Sequence, residues 1–404
     1  MNRRELNEIK GIFDPDNTEN GMGIRQIAGA YFDGDGREIV SAKEDLSDLR
    51  VAERLKYFEI FRKVLSGTPG KNQLNPGFSN DGYASDGGRA MLLRLRDSEL
   101  NDENALKDFF QKTASSLSMK GNFLILLAFH AYDLPVITED GVKDTENSDE
   151  VFRYIICAVC PVSQEKGGLA YDSDLQRFRD LNLSMVVDAP VCGFLFPAFN
   201  DRTSDEDSLQ FYSKNANDLQ NGFLEDVLSC RRTLGASEQK DVFCDIVKAS
   251  VGDDLDFEVA KKIDDNLREL QSEQKAENKY EVPSIDRTEA RKVLERSGVP
   301  EEKLQTFEEQ FDMQAGEDQK LAMTNLTKNR DMVVKTPSVV VHVKPDRSDL
   351  IQTREIDGEV YLMIRVDENL SVNGISVNPG TGEVTEYPDE TFNDSGDDGT
   401  MQQN

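Results

Sequence analysis

The triplet Asn200-Asp201-Arg202 sets an amide, a carboxylate and a guanidinium directly after an apolar aromatic run at 191–199, and the acidic Ser204-Asp205-Glu206-Asp207 follows it. A strand that ends in fixed polar groups is a common way to build a site. Asp201 has the chemistry of a base or a metal ligand, Arg202 that of an anion clamp, and Lys214 is expected to return beside them along the next strand. The competing reading is an Asp–Arg ion pair that stops the strand and caps the next segment. No nucleophile or ligand set accompanies the triplet in the sequence.

Other motifs imitate known chemistry. Gly67-Thr68-Pro69-Gly70-Lys71-Asn72 resembles a phosphate loop, which makes Gly67, Gly70 and Lys71 candidates for anion binding. Asn72 stands where such a loop needs Ser or Thr, and a helix precedes the segment where a strand is required. Cys157 and Cys160 have the CxxC spacing of zinc and redox sites. They lie in a strand-like run, however, and residues three apart on a strand point to opposite faces. Asp33-Gly34-Asp35-Gly36-Arg37 imitates a calcium loop but puts Arg37 where a ligand belongs, so a hairpin is expected. His130 and Asp133 are a conceivable base pair, against which stands a core histidine with no nucleophile beside it. These patterns imply no metal site and no cofactor.

The elements that would position these residues can be read from periodicity. Apolar residues at 51, 55, 58, 61 and 65 mark a helix that Gly67 ends. Strand-like runs at 123–129, 152–162, 184–187, 193–199 and 209–213 predict a central sheet. Helical periods return over 218–278. Asp286 caps a helix to Ser297, Pro300 opens another through Phe311, and four extended pieces lie between 338 and 377. Ser297-Gly298-Val299-Pro300 has the outline of a helix-turn-helix, but the second helix opens Glu301-Glu302-Lys303, the wrong sign for a DNA groove.

The expectation is an α+β protein with a central mixed or antiparallel sheet, flanking helices and a small C-terminal α+β module. The divisions expected are a hairpin and helical region at 1–120, the central sheet with its following helices at 121–280, the C-terminal module at 281–377, and a disordered acidic tail at 378–404.

Composition narrows the function classes. A formal net charge of -30 over 404 residues opposes a broad phosphate-tracking surface. The longest apolar run is far shorter than the ~18 residues a spanning helix requires, and the charged opening Met1-Asn2-Arg3-Arg4-Glu5-Leu6 has no secretory h-region. Five cysteines without a signal fit a reducing compartment, so the expected location is the cytoplasm. Two histidines in the whole chain exclude most imidazole-based sites.

The stretches 65–72, Leu92-Leu93-Arg94-Leu95-Arg96-Asp97-Ser98, 193–202, 297–303 and Val334-Lys335-Thr336-Pro337 together resemble an uncharacterised bacterial family, a domain of unknown function found in Gram-positive anaerobes. The resemblance covers residues 1–377 and implies no activity. The chain departs from that pattern at Ala30 and Ala158, where the family often has Cys, which weakens a redox or metal role here. A looser similarity over 193–251, including Phe223-Leu224-Glu225-Asp226-Val227-Leu228-Ser229-Cys230, is to bacterial nucleoid-associated proteins. It implies a DNA-linked role, for which Arg89, Arg94 and Arg96, or Arg231 and Arg232, would have to supply a basic patch.

Three functions therefore stand at this level. The leading one is a non-enzymatic cytoplasmic interaction or scaffold protein with a protein partner and no membrane association. The others are a nucleic-acid-linked protein of the nucleoid-associated kind, and a metal-assisted hydrolase or phosphoryl-transfer enzyme working at Asn200, Asp201 and Arg202.

Overall fold

The most apolar stretch of the chain becomes the centre of a sheet because helices cover both of its faces, which removes the polar-out alternation of a half-exposed strand. The structure, a computed structural model, describes residues 1–14, 24, 26–137, 143–144, 151–164, 169–180, 184–316, 318–327, 331–366 and 370–378. The acidic tail expected at 378–404 lies outside the described residues except for its first position.

The first part of the chain runs α1 (Arg3–Ile12), β1 (Gln26–Phe32), β2 (Glu38–Asp45), α2 (Val51–Val64), β3 (Gln73–Leu74), α3 (Gly88–Asp97), α4 (Glu103–Ser116) and β4 (Phe123–Asp133). The short pair β5 (Val136–Ile137) and β6 (Lys143–Asp144) comes next, followed by the long β7 (Val151–Gln164). A hairpin, β8 (Leu169–Asp172) and β9 (Arg177–Asp180), leads to β10 (Met185–Val187) and β11 (Cys192–Phe196). A second hairpin, β12 (Ala198–Asn200) and β13 (Thr203–Asp205), precedes β14 (Gln210–Ser213).

These strands form one eight-stranded sheet in the order β2-β1-β4-β7-β11-β14-β3, with β10 also on β7, and every pairing is antiparallel. Of the mixed and antiparallel alternatives, the antiparallel one is found. Alternation assigns Ile125, Leu127, Cys157, Val159 and Phe194 to one face, against α3, α4 and a π-helical turn at Gly222–Val227. Leu126, Ala128, Ile156, Cys160 and Leu195 go to the other face, against α1 and α2. Cys157 and Cys160 thus sit in opposite cores, as their spacing on a strand requires.

α2 approaches β11 closely where Gly193 has no side chain. A Cβ there would lie 2.3 Å from the Cys157 carbonyl oxygen and 2.9 Å from Val64 Cγ2. α1 begins in a capping box: Asn2 Oδ1 accepts from the Arg4 and Glu5 amides at 2.9 and 3.1 Å, and the Asn2 amide donates to Glu5 Oε2 at 2.7 Å.

A helical unit comes next, with α5 (Ala236–Val251), α6 (Phe257–Glu277), β15 (Ser284–Ile285), α7 (Arg287–Arg296), α8 (Glu301–Gln314), β16 (Leu321–Ala322) and α9 (Met323–Leu326). Its core joins Phe243, Ile246 and Leu267 to Leu294, Phe307 and Phe311, so a boundary drawn near residue 280 passes through a shared apolar interior. Asp286 does cap α7, accepting from the Glu289 amide at 2.9 Å.

The chain then makes three hairpins: β17 (Met332–Lys335) with β18 (Val340–Val343), β19 (Ile351–Ile356) with β20 (Glu359–Ile364), and β21 (Leu370–Val372) with β22 (Ile375–Val377). Met332, Val343 and Ile351 form a small core with Phe257 of α6. Among the described residues, no helix is long and apolar enough to cross a membrane.

Candidate functional site

Asn200-Asp201-Arg202-Thr203 is a two-residue hairpin turn. Asp201 and Arg202 both have left-handed backbones, φ 52° and 57°, and Asn200 pairs with Thr203 across the ladder. This is the arrangement of a type I′ turn, whose twist matches that of the strands it joins. The turn projects its side chains in different directions. Asp201 is exposed. Arg202 folds back onto α1, where its Nη2 donates to Glu8 Oε1 at 3.0 Å and to the Pro135 carbonyl at 3.1 Å. The Tyr132 hydroxyl donates to the same Glu8 oxygen at 3.3 Å, and burial with the adjacent Glu8 charge pushes that phenol up to about 12.

Asn200 faces another network. Its Nδ2 donates to Asp205 Oδ2 at 2.6 Å and to Ser208 Oγ at 3.3 Å, while Ser208 donates to the same Asp205 oxygen at 2.6 Å. Asn75 Nδ2 donates to Ser208 at 3.2 Å, and the Met1 ammonium donates to Asn200 Oδ1. Burial raises the Asp205 carboxyl, but hydrogen bonds from Ser208, the Asp207 amide and Asn200 outweigh it and hold the group below its ordinary value. These polar groups are used on one another.

Lys214 does not join them. In the antiparallel register Leu195 pairs with Gln210 and Cys192 with Ser213, so Lys214 follows the end of β14 beside Val191, whereas the turn lies beyond the opposite end of β11. The expectation that Lys214 returns to the triplet fails because an antiparallel neighbour carries its C-terminal end away.

The Gly67–Asn72 segment, 67–72, closes on itself. The Thr68 carbonyl accepts from the amides of Lys71, Asn72 and Gln73 at 3.0 to 3.2 Å, and the Gly70 amide donates to the Gln73 carbonyl at 2.8 Å. Those amides cannot cradle an anion as a phosphate loop does. Gly70, at φ 77°, presses against the helical unit, where a Cβ would meet Val282 Cγ1 at 2.5 Å, and its carbonyl accepts from Asn325 Nδ2 at 2.8 Å. Gly70 is therefore a structural part of the contact with the helical unit, and the Lys71 amide is used inside the turn. Gly67 borders a recess on the side facing α1.

Two further imitations resolve locally. Asp33 Oδ1 accepts from the amides of Asp35 and Arg37, both at 2.9 Å, so the calcium-like loop is an ordinary hairpin turn. His130 is buried with Nδ1 3.1 Å from the Tyr154 hydroxyl, while Asp133 is exposed. Among the described residues, no group of three or more His, Cys, Asp or Glu could hold a metal ion.

The five arginines that a nucleic-acid surface would need are each ion-paired. Arg94 meets Asp102 at 2.6 Å, Arg96 meets Glu206 at 2.5 Å, and Arg89 meets Glu206 at 3.3 Å. Arg231 meets Asp318 at 3.2 Å and Arg232 meets Glu238 at 2.7 Å.

α1 thus stands between the two segments singled out in sequence. Glu8 reaches the turn, and the polar stripe Arg3, Asn7 and Lys10, spaced i, i+4, i+7, borders the recess of about 480 Å3 shared with Gly67, Thr68 and Asn72. That stripe was legible as a helix face but carried no sign of what it would oppose.

Fold and site together define an α+β protein in which helices sandwich an antiparallel sheet. The chain belongs to the family described as Domain of unknown function (DUF4317), whose model matches residues 1–375. No curated protein matches the chain.

Proposed function

We propose that this protein acts by binding another protein and is not an enzyme. The observation that carries the reading is the apolar surface of the C-terminal hairpins. Val360, Ile364, Val372 and Ile375 are 75%, 52%, 56% and 69% exposed, and each hairpin is a two-stranded sheet of its own among the described residues. Two strands alone are marginal in water, and an exposed apolar edge invites another strand. The occupant that fits is an extended apolar segment of a partner protein flanked by basic residues, since this chain carries a net charge of -30. Its free buried thiols at Cys157, Cys160, Cys192 and Cys230 suit a reducing compartment such as the cytoplasm.

The test is affinity capture with the tagged full chain and with a Val360→Lys, Ile364→Lys variant, each lysate split into nuclease-treated and untreated halves. A partner kept through nuclease and lost from the variant supports the reading. Identical capture by both forms refutes it, and loss with the nucleic acid alone points to the nucleic-acid-linked function in its place.

A further inference from the structure

The recess between α1 and the 67–72 turn is unusual in so acidic a chain. Its lining among the described residues includes Arg3 and Lys10 but no carboxylate. Among the described residues, neither side chain makes a hydrogen bond or ion pair, in contrast to the paired arginines described above. At the end of α2, Ser66 Oγ donates to the Arg62 carbonyl at 2.5 Å. Asp14, the carboxylate acting on Lys10, is held by Arg62 at 3.0 Å.

Polar groups complete the wall. Asn72 Oδ1 accepts from the Thr68 amide at 2.7 Å, which leaves the Asn72 Nδ2 amide as a donor. Asn7 lies one turn from both cations on α1. Burial, and after it the neighbouring Arg62 and Lys63 charges, pushes the Lys10 ammonium down, and an anion beside Lys10 would offset that.

We propose that this recess binds the phosphate group of a small phosphorylated molecule, with Arg3 and Lys10 neutralising its charge and Asn7, Thr68 and Asn72 supplying polar contacts. The recess, about 480 Å3, has room for phosphate and a small organic body. The acidic surround disfavours polyanions that would have to lie across it. The inference stands apart from the protein-binding reading, which concerns the C-terminal hairpins.

Isothermal titration calorimetry of the full chain with inorganic phosphate tests it, using Lys10→Gln, Asn7→Asp and, outside the recess, Lys71→Gln. The expected result is saturable binding that weakens about tenfold or more in Lys10→Gln and in Asn7→Asp, and is unchanged in Lys71→Gln. Circular dichroism verifies that each variant folds, and Asn7→Asp decides the matter if Lys10→Gln does not. No saturable binding up to about 10 mM, binding indifferent to the α1 substitutions, or an equal loss in Lys71→Gln would overturn the proposal.

Discussion

Acidification is expected to weaken this fold through His130. Burial pushes its imidazole from 6.5 down to about 4. The side chain is 3% exposed on the central sheet, with the Tyr154 hydroxyl as its partner. The unfolded chain takes up a proton at His130 below pH 6.5, and the folded chain does so only near 4. The unfolded state therefore binds more protons across that window, and stability falls as pH falls. The loss runs at about 1.4 kcal/mol per pH unit and reaches about 3 kcal/mol near pH 4; above pH 6.5 the contribution is intact. His130→Gln keeps a hydrogen-bonding partner for Tyr154 and removes the titration. Urea unfolding of both forms at neutral pH and at about pH 4.5 should show the native protein losing about 2 to 3 kcal/mol more than the variant. With only two histidines in the chain, the His130 imidazole signals can be followed directly. Equal pH slopes in the two forms, or a His130 signal titrating at its ordinary value, would refute the reasoning.

Gly193→Ala should cost about 3 kcal/mol in chemical denaturation, because the added methyl meets a backbone oxygen and α2 where neither has room to move; an unchanged midpoint would show that α2 does not seat there. Arg202→Met should lose about 3 kcal/mol by stranding Glu8, which is 9% exposed at its side chain, whereas Asp201→Asn should be nearly neutral. The reverse ranking would mean that the turn is not held through α1. In thiol labelling of the native protein, Cys244 should react first while Cys157, Cys160, Cys192 and Cys230 wait for unfolding. Burial raises all four of those thiols, Cys160 to about 12. Rapid labelling of a second site would contradict the packing of the sheet. Asp286→Ala should cost about 1 kcal/mol of thermal stability through loss of the α7 cap, and a neutral result would place the start of that helix elsewhere.

Local physics made much of this protein legible in its sequence. The helix at Val51–Val64, the capped helix after Asp286, the core strands and the opposed faces of Cys157 and Cys160 all arise from periodicity and side-chain chemistry within a few residues. Net charge likewise opposes a broad phosphate-tracking surface, and the scarcity of histidine leaves few imidazole-based sites. Tertiary structure alone decided which distant residues meet. Asn200-Asp201-Arg202 had the outline of a site because polar clusters after apolar strands often form one, but the triplet folds as a left-handed turn from which Arg202 reaches Glu8, 194 positions away. Lys214 was carried away by an antiparallel register that no local pattern states. The Arg3, Asn7 and Lys10 stripe acquired its meaning only when the sheet brought α1 against the 67–72 turn. Spacing along a helix or strand fixes which way a side chain points, while the partner it meets depends on long-range packing of the whole sheet and the helices that cover it.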